Sequence, residues 1–176
     1  EKRVWMPDGA NTTYLRYRLI RGSAPIALAI TPLVTYRDFH TLSRRADHTF
    51  HVDAGPQGAT ILAAPGARPL HMHASAGSFA PQNDWFENFF HRVEHERGFD
   101  DTESDMFAPG TFRATIQPGE AWTLVFSAEA QPDTDAERAL FAAQSRQDAL
   151  LRKARAEHAD PVVQQLVLAA DQFVVQ

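Results

Sequence analysis

The chain has 176 residues, of which 44% are hydrophobic and 22% charged, the composition of a globular protein with one core of ordinary size. No apolar run approaches the roughly 20 residues that span a bilayer. The formal charge of −5 comes with scattered arginines rather than a basic stripe, so neither a membrane nor a nucleic acid is an expected partner. The lack of cysteine excludes disulfides, thiolate zinc sites and cysteine nucleophiles, and it leaves the compartment open with the cytoplasm as default.

From Thr12 to Val125 the dominant period is two, broken by Gly and Pro, the pattern of antiparallel sheets. The first predicted strand is Thr13 to Ile20, with Leu15, Tyr17 and Leu19 on one face. Gly22-Ser23-Ala24-Pro25 leads into Ile26 to Val34, and the two segments read as a hairpin. Further strands are predicted at His48 to Val52, Ala59 to Ala63, Leu70 to Ala74, Phe86 to Glu94, Thr111 to Ile116 and Ala121 to Glu129. Ala54-Gly55-Pro56, Pro65-Gly66, Pro109-Gly110 and Pro118-Gly119 are the predicted turns between them.

The period changes near Asp135. Ala136, Ala139, Leu140, Ala143, Leu150, Leu151 and Ala154 recur at helical spacing, which predicts one amphipathic helix over 135–157. Asp160 as N-cap and Pro161 at the first helical position open a second helix, striped by Val162, Leu166, Ala169, Ala170 and Phe173. The fold class is therefore mainly β, an antiparallel β-sandwich followed by two C-terminal α-helices. Glu1 to Trp5 carry no initiator Met or signal peptide, and Asp171 to Gln176 carry no helix stop, so both ends are expected to be cuts through structure.

His91-Arg92-Val93-Glu94-His95 has the H-x-x-E-H order of inverted zinc peptidases, a chemistry that needs both histidines on one helix face. After the aromatic run Trp85 to Phe90 the string reads instead as strand, which would hold the histidines about 13 Å apart at roughly 3.3 Å per residue. His71-x-His73 shares a strand face but lacks an evident third ligand. Carboxylates crowd Glu94 to Asp105, where a charged loop explains them better than a glycosidic acid–base pair does. No catalytic residue, metal or cofactor is expected in this chain.

Two segments are richer than structure alone demands. Thr35-Tyr36-Arg37-Asp38-Phe39-His40 packs aromatics among a cation, an anion and an imidazole, and Trp85 to Asp100 ends in Glu94-x-Glu96-Arg97-Gly98-Phe99-Asp100. Aromatic faces and planar polar groups are a vocabulary suited to sugars. A network of arginines and carboxylates locking loops at a sheet edge explains the same residues, and composition alone favours it.

Arg3-Val4-Trp5-Met6, Gly9 to Leu19 and Pro32 to His40, followed by Trp85-Phe86-x-Asn88-Phe89, Glu94 to Asp100, Pro109-Gly110-x-Phe112 and Leu168 to Phe173, together resemble the N-terminal domain of bacterial and archaeal-type glycogen debranching enzymes. The resemblance spans nearly the whole chain. It implies a β-supersandwich whose glycine-rich first half would precede Arg3, so that residues 1–130 form the second half and 131–176 a helical linker to an (α/α)6 toroid. It further implies an amylo-α-1,6-glucosidase activity seated in that toroid, with glycogen or a limit dextrin as the α-glucan partner. Under this implication Tyr36, Arg37, Asp38, His40, Trp85, Glu94 and Arg97 are the expected substrate-binding residues. An architectural or dimerisation module that never touches glycan is the alternative.

Overall fold

The alternation seen in the sequence becomes two antiparallel sheets in a computed structural model that describes residues 1–38 and 41–174. Among the described residues nine strands form, β1 (Lys2–Trp5), β2 (Thr12–Arg18), β3 (Ile26–Ile30), β4 (His51–Gly55), β5 (Gly58–Leu62), β6 (Leu70–Ala74), β7 (Ser78–Phe90), β8 (Glu103–Ile116) and β9 (Ala121–Ser127). Six of them lie in the order β1-β2-β9-β6-β5-β4, and the other three in the order β3-β8-β7. The helices are α1 (Arg92–Glu96), α2 (Ala136–Lys153) and α3 (Pro161–Asp171). No helix among the described residues is long and apolar enough to cross a membrane.

The two sheets face each other across an aromatic core. Phe112 and Leu124 are 0% exposed, with Trp122, Ile61, Met72, Phe79 and Phe107 around them. Trp122 and Leu124 point inward from β9, while Val125, the next residue, points outward to Tyr14 and Ala139 beneath α2. The larger sheet is thus covered on both faces along β2 and β9. The Trp122 indole also donates to the Ala76 carbonyl at 2.9 Å, so this ring is buried without an orphan donor.

The first two predicted strands turn Leu15, Tyr17, Leu28 and Ile30 toward the core as expected, but the second stops at Ile30 rather than Val34 and the two do not form a hairpin. β2 pairs with β1 and β9, β3 pairs with β8, and the Gly22 to Pro25 segment carries the chain from one sheet to the other. Leu15 and Tyr17 therefore pack on the core from one sheet and Leu28 and Ile30 from the other. Alternation reports which face is buried, and it is silent on which neighbour pairs.

Pro109-Gly110 is likewise not a turn but the middle of β8. Pro81 pairs with Gly110 and Asp84 with Ala108, so β7 spends one extra residue opposite Pro109. Proline has no N–H to give the ladder, and the bulge, with Asn83 at φ 55, accommodates that gap. A second bulge lies between Phe86 and Phe89, where Asn88 takes φ 57. The predicted strand from Phe86 to Glu94 stops at Phe90, and its last residues belong to α1. The charged stretch from Glu94 to Asp105 is loop only over 97–102, because Glu94–Glu96 lie in α1 and Glu103–Asp105 already lie in β8.

α2 is capped as the sequence suggests, with the Asp135 carboxylate accepting from the Arg138 N–H at 3.0 Å. It ends at Lys153, four residues short of the predicted stop, where Arg155 turns to φ 55. α3 follows its predicted start, since Asp160 accepts from the Val162 N–H at 2.8 Å beside Pro161. Arg146 on α2 bridges Asp8 of the β1–β2 connection, at 3.0 Å, to Asp171 of α3.

The start of α2 is tied to the sheet by an aromatic stack. Trp5 lies 5.3 Å from Tyr14 with nearly parallel planes, the Arg16 guanidinium sits over the Trp5 ring, and Arg16 pairs with Glu137 at 2.6 Å. The Tyr14 hydroxyl donates to the Asp133 carbonyl at 2.7 Å, and burial, with the nearby Asp133 charge second, pushes its pKa above the ordinary phenol value. Tyr14→Phe is expected to cost about 1 kcal/mol, the worth of one part-buried hydrogen bond. Urea denaturation of the two proteins side by side checks it.

Candidate functional site: a cleft between two excursions from β8

The site is built by two loops at β8, one stitched to that strand at both ends and one running into it from β7. Residues 35–38 and 41–42 belong to the first. Before them, Val34 exchanges two backbone hydrogen bonds with Phe107, at 2.8 and 2.9 Å; after them, the Ser43 carbonyl accepts from the Asp105 N–H at 2.7 Å. The loop is therefore stitched at both ends to positions two residues apart on β8. Residues 91–102, the connection from β7 to β8, form the second excursion and contain α1.

Asp105 is the latch between them. Its side chain is 8% exposed in total and accepts from the Arg45 N–H at 2.8 Å and the Asn88 N–H at 2.9 Å. One donor follows the first loop and the other belongs to the β7 bulge. These two hydrogen bonds, with the Arg44 and Arg45 charges behind them, hold its carboxyl below the usual carboxylate range despite burial. Arg44 reaches across to Asp101 at 2.7 Å, and Arg45 pairs with Glu87.

Between the excursions lies a cleft of about 720 Å³. Arg37, Thr41 and Leu42 line it from the first loop. His91, Glu94, Phe99, Asp100 and Asp101 line it from the second. The Arg37 guanidinium donates to the Thr41 carbonyl at 2.6 Å and the Asp38 carbonyl at 3.1 Å, which closes its own loop. His91 Nε2 shares a 2.6 Å hydrogen bond with the Ser104 hydroxyl, and the His91 N–H donates to the Thr102 carbonyl at 2.8 Å.

Of the residues expected to bind substrate, Arg37 and Glu94 meet in this cleft. Arg97 stands at the end of α1 with its guanidinium 3.8 Å from Glu94, a loose and exposed pair. Asp38 lies in the first loop, where its carbonyl also accepts from the Thr41 N–H and hydroxyl. Tyr36 lines a different, apolar recess beside Phe50 and Leu70. Trp85 packs into the core, its ring 5.3 Å from Phe107 and 5.6 Å from Phe50. His40 lies outside the described residues. The sequence reading did not single out Thr41 or Leu42; these come in through the Val34–Phe107 and Ser43–Asp105 stitches, a long-range pairing with no local signature, whereas Asp101 stood out only as one of the crowded carboxylates.

The ground for setting aside zinc also changes. The His91 to His95 string is a short helix, not a strand, since the His95 N–H donates to the His91 carbonyl at 3.1 Å. Helical spacing alone does not make a metal centre. His91 Nε2 is engaged by Ser104, the His95 ring lies 5.4 Å from the Phe90 ring, and no group of three or more His, Asp or Glu among the described residues could hold a metal ion.

An antiparallel sandwich with helices at its C-terminal end and a loop-built cleft on one flank defines a β-sandwich module. The family model described as Glycogen debranching enzyme N terminal matches residues 1–123. The chain belongs to this family. Neither a curated protein nor a solved structure matches it.

Proposed function

We infer that this chain is a non-catalytic N-terminal module of a glycogen debranching enzyme, which helps position an α-glucan for hydrolysis of α-1,6 branch linkages by an (α/α)6 catalytic domain. In this reading residues 1–130 are the second half of a β-supersandwich and 131–176 the helical link to the toroid. The observation that supports it is the cleft, because two segments distant in sequence line it together, Arg37, Thr41 and Leu42 from one and His91, Glu94, Phe99, Asp100 and Asp101 from the other, a mixture of planar polar groups with one aromatic ring. Family membership supplies the glucan.

Isothermal titration of the full chain with a branched maltooligosaccharide tests this. Saturable heat is expected, and Arg37→Ala is expected to weaken binding about fivefold with an unchanged melting temperature. A silent titration at several millimolar ligand would remove the glucan role. The architectural alternative would then stand, favoured by the exposed apolar residues Val162 and Leu166 of α3 and Phe173 just beyond it.

A further inference from the structure

The polar groups of the cleft divide into those already engaged and those still available. Arg37 caps the carbonyls of its own loop, and Asp101 is paired with Arg44. Asp100 makes no hydrogen bond or ion pair among the described residues, and His91, with Nε2 on Ser104, has its other ring nitrogen available. Beside them stands Phe99. Its backbone N–H is held by the Glu94 carbonyl at 3.2 Å just after Gly98 at φ 84, so the end of α1 fixes where it sits. Its side chain remains 57% exposed and makes no ring contact among the described residues.

A single exposed phenylalanine is ordinary. This one differs in its company, because it stands in the cleft next to an unengaged carboxylate and an imidazole. A ring that offers one flat apolar face, with hydrogen-bond acceptors and a donor at its edge, matches a sugar ring, which has a C–H face and a rim of hydroxyls. The carboxylates of the lining are balanced by Arg37 in it and by Arg44 and Arg97 beside Asp101 and Glu94, so the cleft carries no basic cluster for a phosphate ester and suits an uncharged sugar.

We propose that Phe99 is the platform on which this cleft seats a neutral glucose unit, with Asp100 and His91 hydrogen-bonding its hydroxyls. This inference rests on the glucan reading of the cleft and names the residue that makes the stacking contact. Arg37 then acts as a positioning residue that holds the facing loop in place.

Titration of maltohexaose into the full chain and into Phe99→Ala, Phe99→Leu and Phe99→Trp tests it. Phe99→Ala and Phe99→Leu are expected to weaken binding about tenfold, while Phe99→Trp stays within about twofold of the parent. Because the side chain is exposed, all three are expected to keep the parent's urea midpoint, and retention by Phe99→Trp separates a lost platform from a disturbed loop. If Phe99→Leu or Phe99→Ala binds as the parent does, the ring face is unused and the platform is overturned, while the glucan reading survives on the parent's own binding. A parent chain that gives no heat with maltohexaose overturns both.

Discussion

Asp105→Ala is expected to lower the unfolding free energy by about 3 kcal/mol, because it leaves the N–H groups of Arg45 and Asn88 without their charged acceptor. Its consequence reaches past stability. The same carboxylate joins the end of the first excursion to the β7 bulge, so its loss frees both walls of the cleft. Asp105→Asn keeps one acceptor oxygen and is expected to lose about half as much. The pH dependence follows from the direction of the shift. The folded protein holds this carboxyl below its ordinary value, about 3.9 in an unfolded chain. Between the two values the unfolded state binds the extra proton. The contribution of Asp105 is therefore complete above the unfolded value and is lost as pH falls through the lower, folded one. Urea titrations at neutral pH and at steps down through the carboxylate range are expected to show the gap between parent and Asp105→Asn narrowing in acid. A gap that stays constant with pH would show that the depressed carboxyl is not the source of the stabilisation.

Local chemistry was legible in the sequence, and long-range pairing was not. Asp135 and Asp160 announce their helices because a cap needs only a carboxylate and the N–H two or three residues on. Leu15, Tyr17, Trp122 and Leu124 announce a buried face because a strand's period is two. Nothing near Gly22 says that the chain changes sheets there, since a sheet-to-sheet crossing and a hairpin share the same turn residues. The site shows the same division. Arg37 and Glu94 stood out by composition, whereas their sharing one cleft depends on Val34 and Ser43 bonding to Phe107 and Asp105, partners 73 and 62 residues further along the chain. Trp85 drew attention as an aromatic beside polar residues, yet in a β-strand the neighbour on one side faces the core.

The misread Pro109-Gly110 pair leads to the second large effect. Glycine after proline suggests a turn when a φ above zero is needed, but Gly110 is required for a different reason. A Cβ placed there would lie 2.4 Å from the Ala80 carbonyl oxygen, 2.5 Å from the Phe79 ring and 2.9 Å from the Pro81 Cα. Two of those three neighbours are backbone of the paired strand β7, held by its ladder to β8, so the clash has no flexible side chain to absorb it. Gly110→Ala is therefore expected to destabilise the sandwich by about 3 kcal/mol, the upper end of the cost of overpacking. Gly66→Ala supplies the contrast. Gly66 sits at φ 81 with nothing within 4 Å of a new Cβ, so only the left-handed backbone strain applies, about 1 kcal/mol. Urea denaturation of both variants decides between the two origins of a required glycine. Equal losses would mean that β7 can yield at its bulge and that the approach of the strands at Gly110 is not the constraint. A loss at Gly110 about three times that at Gly66 would show that the bulge opposite Pro109 is packed against β8 with no room for a methyl group.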